Sequence, residues 1–468
     1  MSSVKQHFMD SFLYPKSVAV VGATRDEKVP SFNLLANLIE QRFKGAVYPV
    51  NPNTSEILGL TAYPNLKSIK GDVDLAVIAV SARIVPGIIK DCVDKGVKAV
   101  AIVSGGFAEI GEEGKRIQDE VLSLLKPSGI RAIGPNALSP INTKNHLAIS
   151  FHIIDKLTKG KVSFIFQSGV YEPRLNWLLS GFNLGINKLI DLGNKMDINE
   201  VEVLDYLAQD LDTGVIAMHM ESIAGDARAF MQLLRDTTTK KPVIILKSGR
   251  TEAGAKAASS HTGAITKSSD IVFDTVLKQS GAIRAQSLEE FFDLAKVFEY
   301  LPLPKGNRVV VSSGSGGLGV LATDVCHTSG LEMAQFSEST YEKLRSVYPP
   351  WDISGNPFDT GLCSNFHEVT EVYDVLLRAL ANEPDVDCLA IEVSTGPLLN
   401  PDKLAQVASI VVKGGKPMVM WVPDMGQKNA PEITQHLESK RVPVFPSAER
   451  AIKALAGLYQ HELLRSRL

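Results

Sequence analysis

The chain has 468 residues, with 49 Lys and Arg against 52 Asp and Glu for a formal charge of −3. At ~100–200 residues per domain this length predicts about three domains, each able to bury its own core, and it excludes a disulfide-stapled miniprotein. The near-balanced charge and 44% hydrophobic content exclude the basic footprint of a nucleic-acid binder and the composition of a disordered or membrane-embedded chain.

Short β-branched or apolar runs alternate with helix-length amphipathic segments, which predicts an α/β fold of parallel sheets covered by helices on both faces. In the first block, strands are expected at Ser17–Val21, Ala46–Val50, Leu75–Val80, Ala99–Val103 and Arg131–Ile133. Helices are expected between them at Phe32–Gln41, Ile84–Lys95 and Lys115–Leu125, and this doubly wound block ends near Asn142. A second block takes strands Val162–Phe166, Lys188–Leu192, Gly214–Met220 and Pro242–Lys247, with a helix at Glu200–Ala208. A linker carrying Pro302, Pro304 and Gly306 leads to a third block with strands Arg308–Ser312, Cys388–Ile391, Pro417–Trp421 and Val442–Val444. The fold class is thus three doubly wound domains in series, at 1–145, 155–300 and 305–468.

Cys92, Cys326, Cys363 and Cys388 form no CxxC pair, so reduced thiols in a cytoplasmic protein, with no metal site, are expected. Met1 to Lys16 lacks the apolar core of a signal peptide, and no stretch reaches the ~18–20 apolar residues of a membrane span.

The first strand runs into Gly22-Ala23-Thr24-Arg25, a turn able to offer backbone N–H groups and a cation to phosphate. This turn lacks G-x-G-x-x-G, and Asn51-Pro52-Asn53 stands where a dinucleotide fold places an acid for the ribose, so a nicotinamide cofactor is disfavoured. Loops at Ser81, Ser104-Gly105-Gly106-Phe107 and Gly134-Pro135-Asn136 follow strands of the same sheet and are expected to ring one crevice at its carboxyl edge. In the second block, Gln167-Ser168-Gly169 is either a phosphate-binding turn or a helix start capped by Ser168. Ser313 to Gly319 repeats the small-residue turn without the Lys-Ser/Thr ending of a P-loop.

From Thr251 to Asp270 the only large aliphatic residue is Ile265, so a mobile polar loop is expected, with His261 at its centre. A histidine in such company is read as functional, either as general base or as a nucleophile toward phosphorus. Glu221, beyond the strand ending at Met220, is a candidate to orient its ring; the competing role is an N-terminal acid on the next helix.

Taken in order, Lys16 to Ala23, Asn51-Pro52-Asn53, Gly134-Pro135-Asn136, Gln167-Ser168-Gly169, Leu192 to Asp197, Lys247-Ser248-Gly249-Arg250 and Ser260 to Ala264 resemble the α subunit of NDP-forming acyl-CoA synthetases. The likeness is chiefly to ADP-forming acetate–CoA ligases, more distantly to succinyl-CoA synthetase, and it covers essentially the whole chain. It implies a Rossmann-like CoA-binding domain followed by two flavodoxin-like domains. CoA would be held near Gly22, Ala23, Thr24, Arg25, Asn51, Ser81, Ser104, Gly105, Phe107 and Asn136, and phosphate near Gln167, Ser168, Gly169 and Gly263. His261 would become the phosphohistidine and Glu221 would steady it. The resemblance further implies a separate ATP-grasp β subunit in an α2β2 assembly, with Mg²⁺ and ADP or ATP on that partner. Two departures from the family pattern, Val170-Tyr171-Glu172-Pro173 and Ala137-Leu138-Ser139, fall near the expected thioester site. The alternative reading is a non-catalytic CoA- or acyl-CoA-binding regulatory subunit; a nicotinamide oxidoreductase is opposed by the lack of a glycine fingerprint after the first strand.

Overall fold

The computed structural model describes residues 7–262, 270–423 and 428–467, with the side chains of 258–262 outside the description. It divides into two compact units, 1–284 and 285–468. Three predominantly parallel sheets run through them, built largely from the buried Val, Ile, Leu and Ala runs read from the sequence.

In the first sheet the strands Ala46–Val50, Ser17–Val21, Leu75–Ile78, Ala99–Ile102 and Arg131–Ile133 lie side by side in that order. Both neighbours of Ser17–Val21 run parallel to it, so the switch in strand order falls beside Gly22. Helices Val85–Lys95 and Glu112–Ser128 each end at a left-handed glycine, Gly96 and Gly129.

The second sheet orders Ile283–Ala285, Val243–Lys247, Val215–Met220, Lys159–Phe166 and Ile186–Asp191, then two short strands, Ile141–Asn142 and Leu147–Ala148. These last two continue the first block in sequence, yet they form a hairpin whose first strand pairs antiparallel with Ile186–Asp191 through Lys188 with Asn142 and Leu189 with Ile141. One apolar core accordingly runs from Phe12, Val18 and Leu34 to Leu192, Leu204, Met218 and Phe230. Helix Glu200–Gln209 starts in a capping box, Asn199 receiving the Glu202 N–H while the Glu202 carboxylate receives that of Asn199.

Thr251 to Thr262 is a helix, Glu252–Thr262, and not the polar loop expected. Ala253, Ala255, Ala257 and Ala258 explain it: alanine has the highest intrinsic helix propensity, and a segment need not bury large side chains to coil. The rest of the expected loop, 263–269, lies outside the described residues.

In the second unit, strand Arg308–Ser313 is flanked by Glu332–Met333 and Cys388–Glu392, and Met418–Trp421 and Val444–Phe445 come next. Helix Leu288–Tyr300, placed by the sequence with the second block, packs here against Ala448–Arg465. Its Asp293 takes a bidentate pair from Arg450, and its Lys296 pairs with Glu438. Both members of the latter pair are almost wholly buried. Removing one partner of such a pair strands the other charge in low dielectric. Lys296→Ala is therefore expected to destabilise the second unit by about 3–5 kcal/mol in urea unfolding, while Lys296→Met with Glu438→Leu recovers most of the loss. A single-variant loss below about 1 kcal/mol would show that the pair is solvated.

Candidate active site

The carboxyl edge of the first sheet carries the expected loops side by side. Gly22 has φ +89°, and a Cβ there would stand 2.5 Å from the Ala79 carbonyl oxygen, so only glycine lets this turn lie against the third strand. The Asn51 side chain spans to the next turn, donating to the Ala23 carbonyl at 2.8 Å and accepting from Asn53 N–H. Ala23 is buried, Thr24 is half-buried and accepts the Asp26 N–H, and Arg25 and Ser81 are placed at the rim, both exposed. Asn136, at φ 60°, donates its N–H to the Ser104 carbonyl, and its side chain faces Gly105. Phe107 points into the core beneath, fully buried, so it supports the loop rather than forming its surface. The N–H groups of Gly106 and Phe107 are taken by the Glu109 carboxylate, which also accepts from Asn194 at 2.6 Å.

That Asn194 contact belongs to a larger docking. The loop Leu192 to Asp197 comes after a strand of the second sheet and lands on the loop Gly134 to Leu138 of the first. Asn194 N–H donates to the Pro135 carbonyl, Met196 N–H to that of Gly134, and Arg131 pairs with Asp197 and Glu202. A Cβ on Gly193 would lie 2.2 Å from the Pro135 oxygen, so the approach is backbone to backbone. Leu138 is held at both ends, its N–H by Asp191 and its carbonyl by the Tyr171 hydroxyl.

The turn after strand Lys159–Phe166 meets the turn after strand Val215–Met220. The Gln167 side-chain oxygen accepts the N–H groups of Glu221 and Ser222 at 2.7 and 3.1 Å, fixing the two candidate site segments to one another. Glu221 is buried within electrostatic reach of Asp191, Lys195 and Lys247. Lys195 Nζ donates to Glu200 and to the Ser222 carbonyl, and burial pulls its pKa down although Glu200 and Glu221 oppose the fall. Lys247 is likewise lowered by burial. Two ammonium groups near a buried carboxylate, beside the turn amides after Gln167, form a setting suited to an oxyanion such as phosphate.

Ser168 makes no capping hydrogen bond, and the chain continues from it as the short 3₁₀ segment Gly169–Arg174, so helix capping does not account for its hydroxyl. Asp226, not Glu221, caps helix Ala227–Thr238. His261 lies in the last turn of helix Glu252–Thr262, which runs beside Ala108–Ile110 and so next to the Ser104–Phe107 loop. The side-chain position of His261 and the whole of Gly263 lie outside the described residues.

Sequence reasoning missed Asp191 as part of this site and gave no role to Tyr171 or Lys195, which it noted only within a departure and a family motif, because nothing local marks a residue as buried by a neighbouring domain. The departure at Tyr171-Glu172 is structural in effect: Tyr171 holds Leu138, and Glu172 bonds Ser150 and His152. Burial pushes the Asp191 carboxyl up to about 7, with Glu172 and Glu221 adding to it against the Leu138 and Gly193 N–H bonds. Between the ordinary carboxyl range near pH ~4 and pH 7 the folded chain holds a proton that the unfolded chain has lost, so this group's contribution to stability falls as pH rises through that window. Asp191→Asn is expected to flatten the pH profile of unfolding free energy between pH ~4 and 7, by at most about 4 kcal/mol, as read by urea melts. Superimposable wild-type and variant profiles would contradict the assignment.

Family models match three successive segments: a CoA binding domain over 16–142, a succinyl-CoA ligase like flavodoxin domain over 159–298 and a ligase-CoA domain over 309–467. The acetate–CoA ligase (ADP-forming) II subunit alpha of Pyrococcus furiosus is 36% identical over 458 residues, which is 97% of each chain. Acetate–CoA ligase (ADP-forming) II of Archaeoglobus fulgidus is 37% identical over 455 residues, 96% of this chain but 66% of its own length. Among solved structures, the dinucleotide forming acetyl-coenzyme A synthetase 1 of Ca. Korarchaeum cryptofilum, in complex with phosphate and ADP, gives a TM-score of 0.88 at 31% identity, covering 98% of this chain and 97% of its own. The chain belongs to the NDP-forming acyl-CoA synthetase family, among the α subunits of ADP-forming acetate–CoA ligases.

Proposed function

We propose that this chain carries the acyl- and phosphoryl-transfer half of an acid–CoA ligase (ADP-forming), interconverting acyl-CoA, phosphate and ADP with acid, CoA and ATP. The observation that supports this reading is the Gln167–Glu221 tie, which joins a buried carboxylate to the turn proposed to bind phosphate. CoA at the carboxyl edge of the first sheet is supported by the close approach of its turns at Gly22 and by the short polar side chain of Asn51 that ties them.

In the proposed sequence, a phosphate oxygen attacks the thioester carbonyl, the C–S bond breaks and CoA leaves as thiolate, giving an acyl phosphate. An imidazole nitrogen of His261 then attacks phosphorus and the carboxylate departs. Glu221 accepts the other ring N–H, keeping the attacking lone pair free and stabilising the charge the ring acquires. Ser168 and the amides of the 167–169 turn donate to the phosphoryl oxygens as charge builds on them. Lys195 and Lys247 offset the fixed negative charge of Glu221. The phosphohistidine passes its group to ADP on a separate ATP-grasp β subunit, which would also hold Mg²⁺, in an α2β2 cytoplasmic assembly. Gly263 and the residues around His261 form the carrier segment.

His261→Ala is expected to abolish ATP formation from acetyl-CoA, phosphate and ADP in the assembled enzyme while leaving CoA affinity within about twofold. Glu221→Gln, which keeps the size but loses the charge, is expected to lower kcat by ~10²–10⁴ with little change in KM for CoA. Turnover retained in His261→Ala would overturn the phosphohistidine step. A coupled assay across short, branched, aryl and dicarboxylic acids then identifies the acid.

A further inference from the structure

One buried titratable side chain near the carboxyl edge of the second sheet has no part in the steps above. His219 lies in strand Val215–Met220, is 4% exposed and sets its ring 6.1 Å from that of Phe166. Its Nε2 meets the Ser248 hydroxyl at 2.7 Å, and its Nδ1 is buried with no partner among the described residues. Burial, with Lys247 nearby, pulls its pKa down to about 4, so the ring is neutral near pH ~7 and carries a single N–H.

That proton has two places to sit. On Nδ1 it would be a buried donor with nothing to receive it, a defect rarer in folded proteins than an under-satisfied acceptor. On Nε2 it is donated to Ser248 Oγ, and only a lone pair at Nδ1 goes unmatched. The second placement also settles what the serine does. An oxygen that accepts from the ring keeps its own proton for another partner, and the Ser248 hydroxyl makes no other hydrogen bond among the described residues.

The strand pairing says where that proton is available. Side chains alternate across a strand, so Phe166, Asp191, His219 and Leu246, which stand level with one another, share one face of the sheet. Met220 pairs with Lys247, and the Ser248 N–H extends the ladder to the Met220 carbonyl, so Ser248 comes level with Glu221 at the carboxyl edge. The strand leading to Glu221 lies between the strands leading to Ser248 and to Ser168, and the Gln167 side chain ties Glu221 to the Ser168 turn. Two serines thus flank the carboxylate assigned to steady His261. We propose that Ser248 is a further ligand of the phosphoryl group, its hydroxyl donating a hydrogen bond to a phosphate oxygen, and that His219 is the positioning residue that turns it there. This rests on the ligase reading and adds to it one donor and the residue that orients it.

In the assembled enzyme Ser248→Ala is expected to raise KM for phosphate by ~10- to 100-fold and to leave KM for acetyl-CoA within about twofold. Ser248→Thr, which keeps the hydroxyl, is expected to stay within a few-fold of wild type. His219→Phe fills the same space without the N–H and is expected to raise KM for phosphate by ~3- to 10-fold, yet to add less than about twofold in the Ser248→Ala background, because its effect runs through that hydroxyl. Ser248 is half-buried and loses a single oxygen, so Ser248→Ala tests the hydroxyl even where His219→Phe does not fold. Calorimetry with inorganic phosphate and the full-length protein reads the site without turnover, and Ser248→Ala is expected to weaken binding by a similar factor. An assembly that forms no ATP would overturn the ligase reading while calorimetry still decides on Ser248. Unchanged phosphate KM and affinity in Ser248→Ala, or an equal rise in KM for acetyl-CoA, would overturn the inference alone, and additive effects of His219→Phe and Ser248→Ala would overturn the positioning role.

Discussion

The first unit depends on one backbone-to-backbone docking. Gly193 has no side chain because the Pro135 carbonyl occupies the place where a Cβ would stand, and Asn194 and Met196 close the contact with two N–H bonds. Two sheets are thereby held with their carboxyl edges meeting. The loops proposed to hold CoA belong to the first sheet and the turn proposed to hold phosphate to the second, so neither sheet alone has both. The hairpin Ile141–Ala148 works to the same end, leaving the first block to pair with the second sheet, so a single apolar core serves both.

On this joined edge the polar groups are arranged by burial. Asp191, Tyr171 and Gln167 are all buried, and each makes a bond that fixes a loop: Leu138 N–H, Leu138 carbonyl, and the N–H groups of Glu221 and Ser222. Such bonds are worth more in a low-dielectric interior than on the surface, and they cost more when left unmade. The site is preorganised on its fixed side. The residue proposed to move the phosphoryl group comes instead from the alanine-rich helix Glu252–Thr262.

Much of this was legible in the sequence, for physical reasons. Strands such as Ser17–Val21 and Val215–Met220 are buried on both faces, and an unbroken apolar run announces that directly. Glycine and proline mark the turns at the strand ends, so the crevice loops and the Gln167 turn could be placed by residue. Three things were hidden. Helix Glu252–Thr262 carries its signal in alanine propensity rather than in apolar spacing. The hairpin Ile141–Ala148 and helix Leu288–Tyr300 pack with units that their position in the chain does not indicate. Asp191 and Lys195 acquire their character only from groups distant in sequence, Leu138 and Ser222 among them.

The most direct measurement is of where phosphorus goes. The assembled enzyme, supplied with acetyl-CoA and radiolabelled phosphate but no nucleotide, is quenched in alkali and its peptides mapped. The label is expected on the peptide containing His261, stable to base, lost in acid, and discharged on addition of ADP. Full ATP-forming turnover with the label on another residue of this chain, or with no label on it, would contradict the role given to His261 and to the carboxylate assigned to steady it.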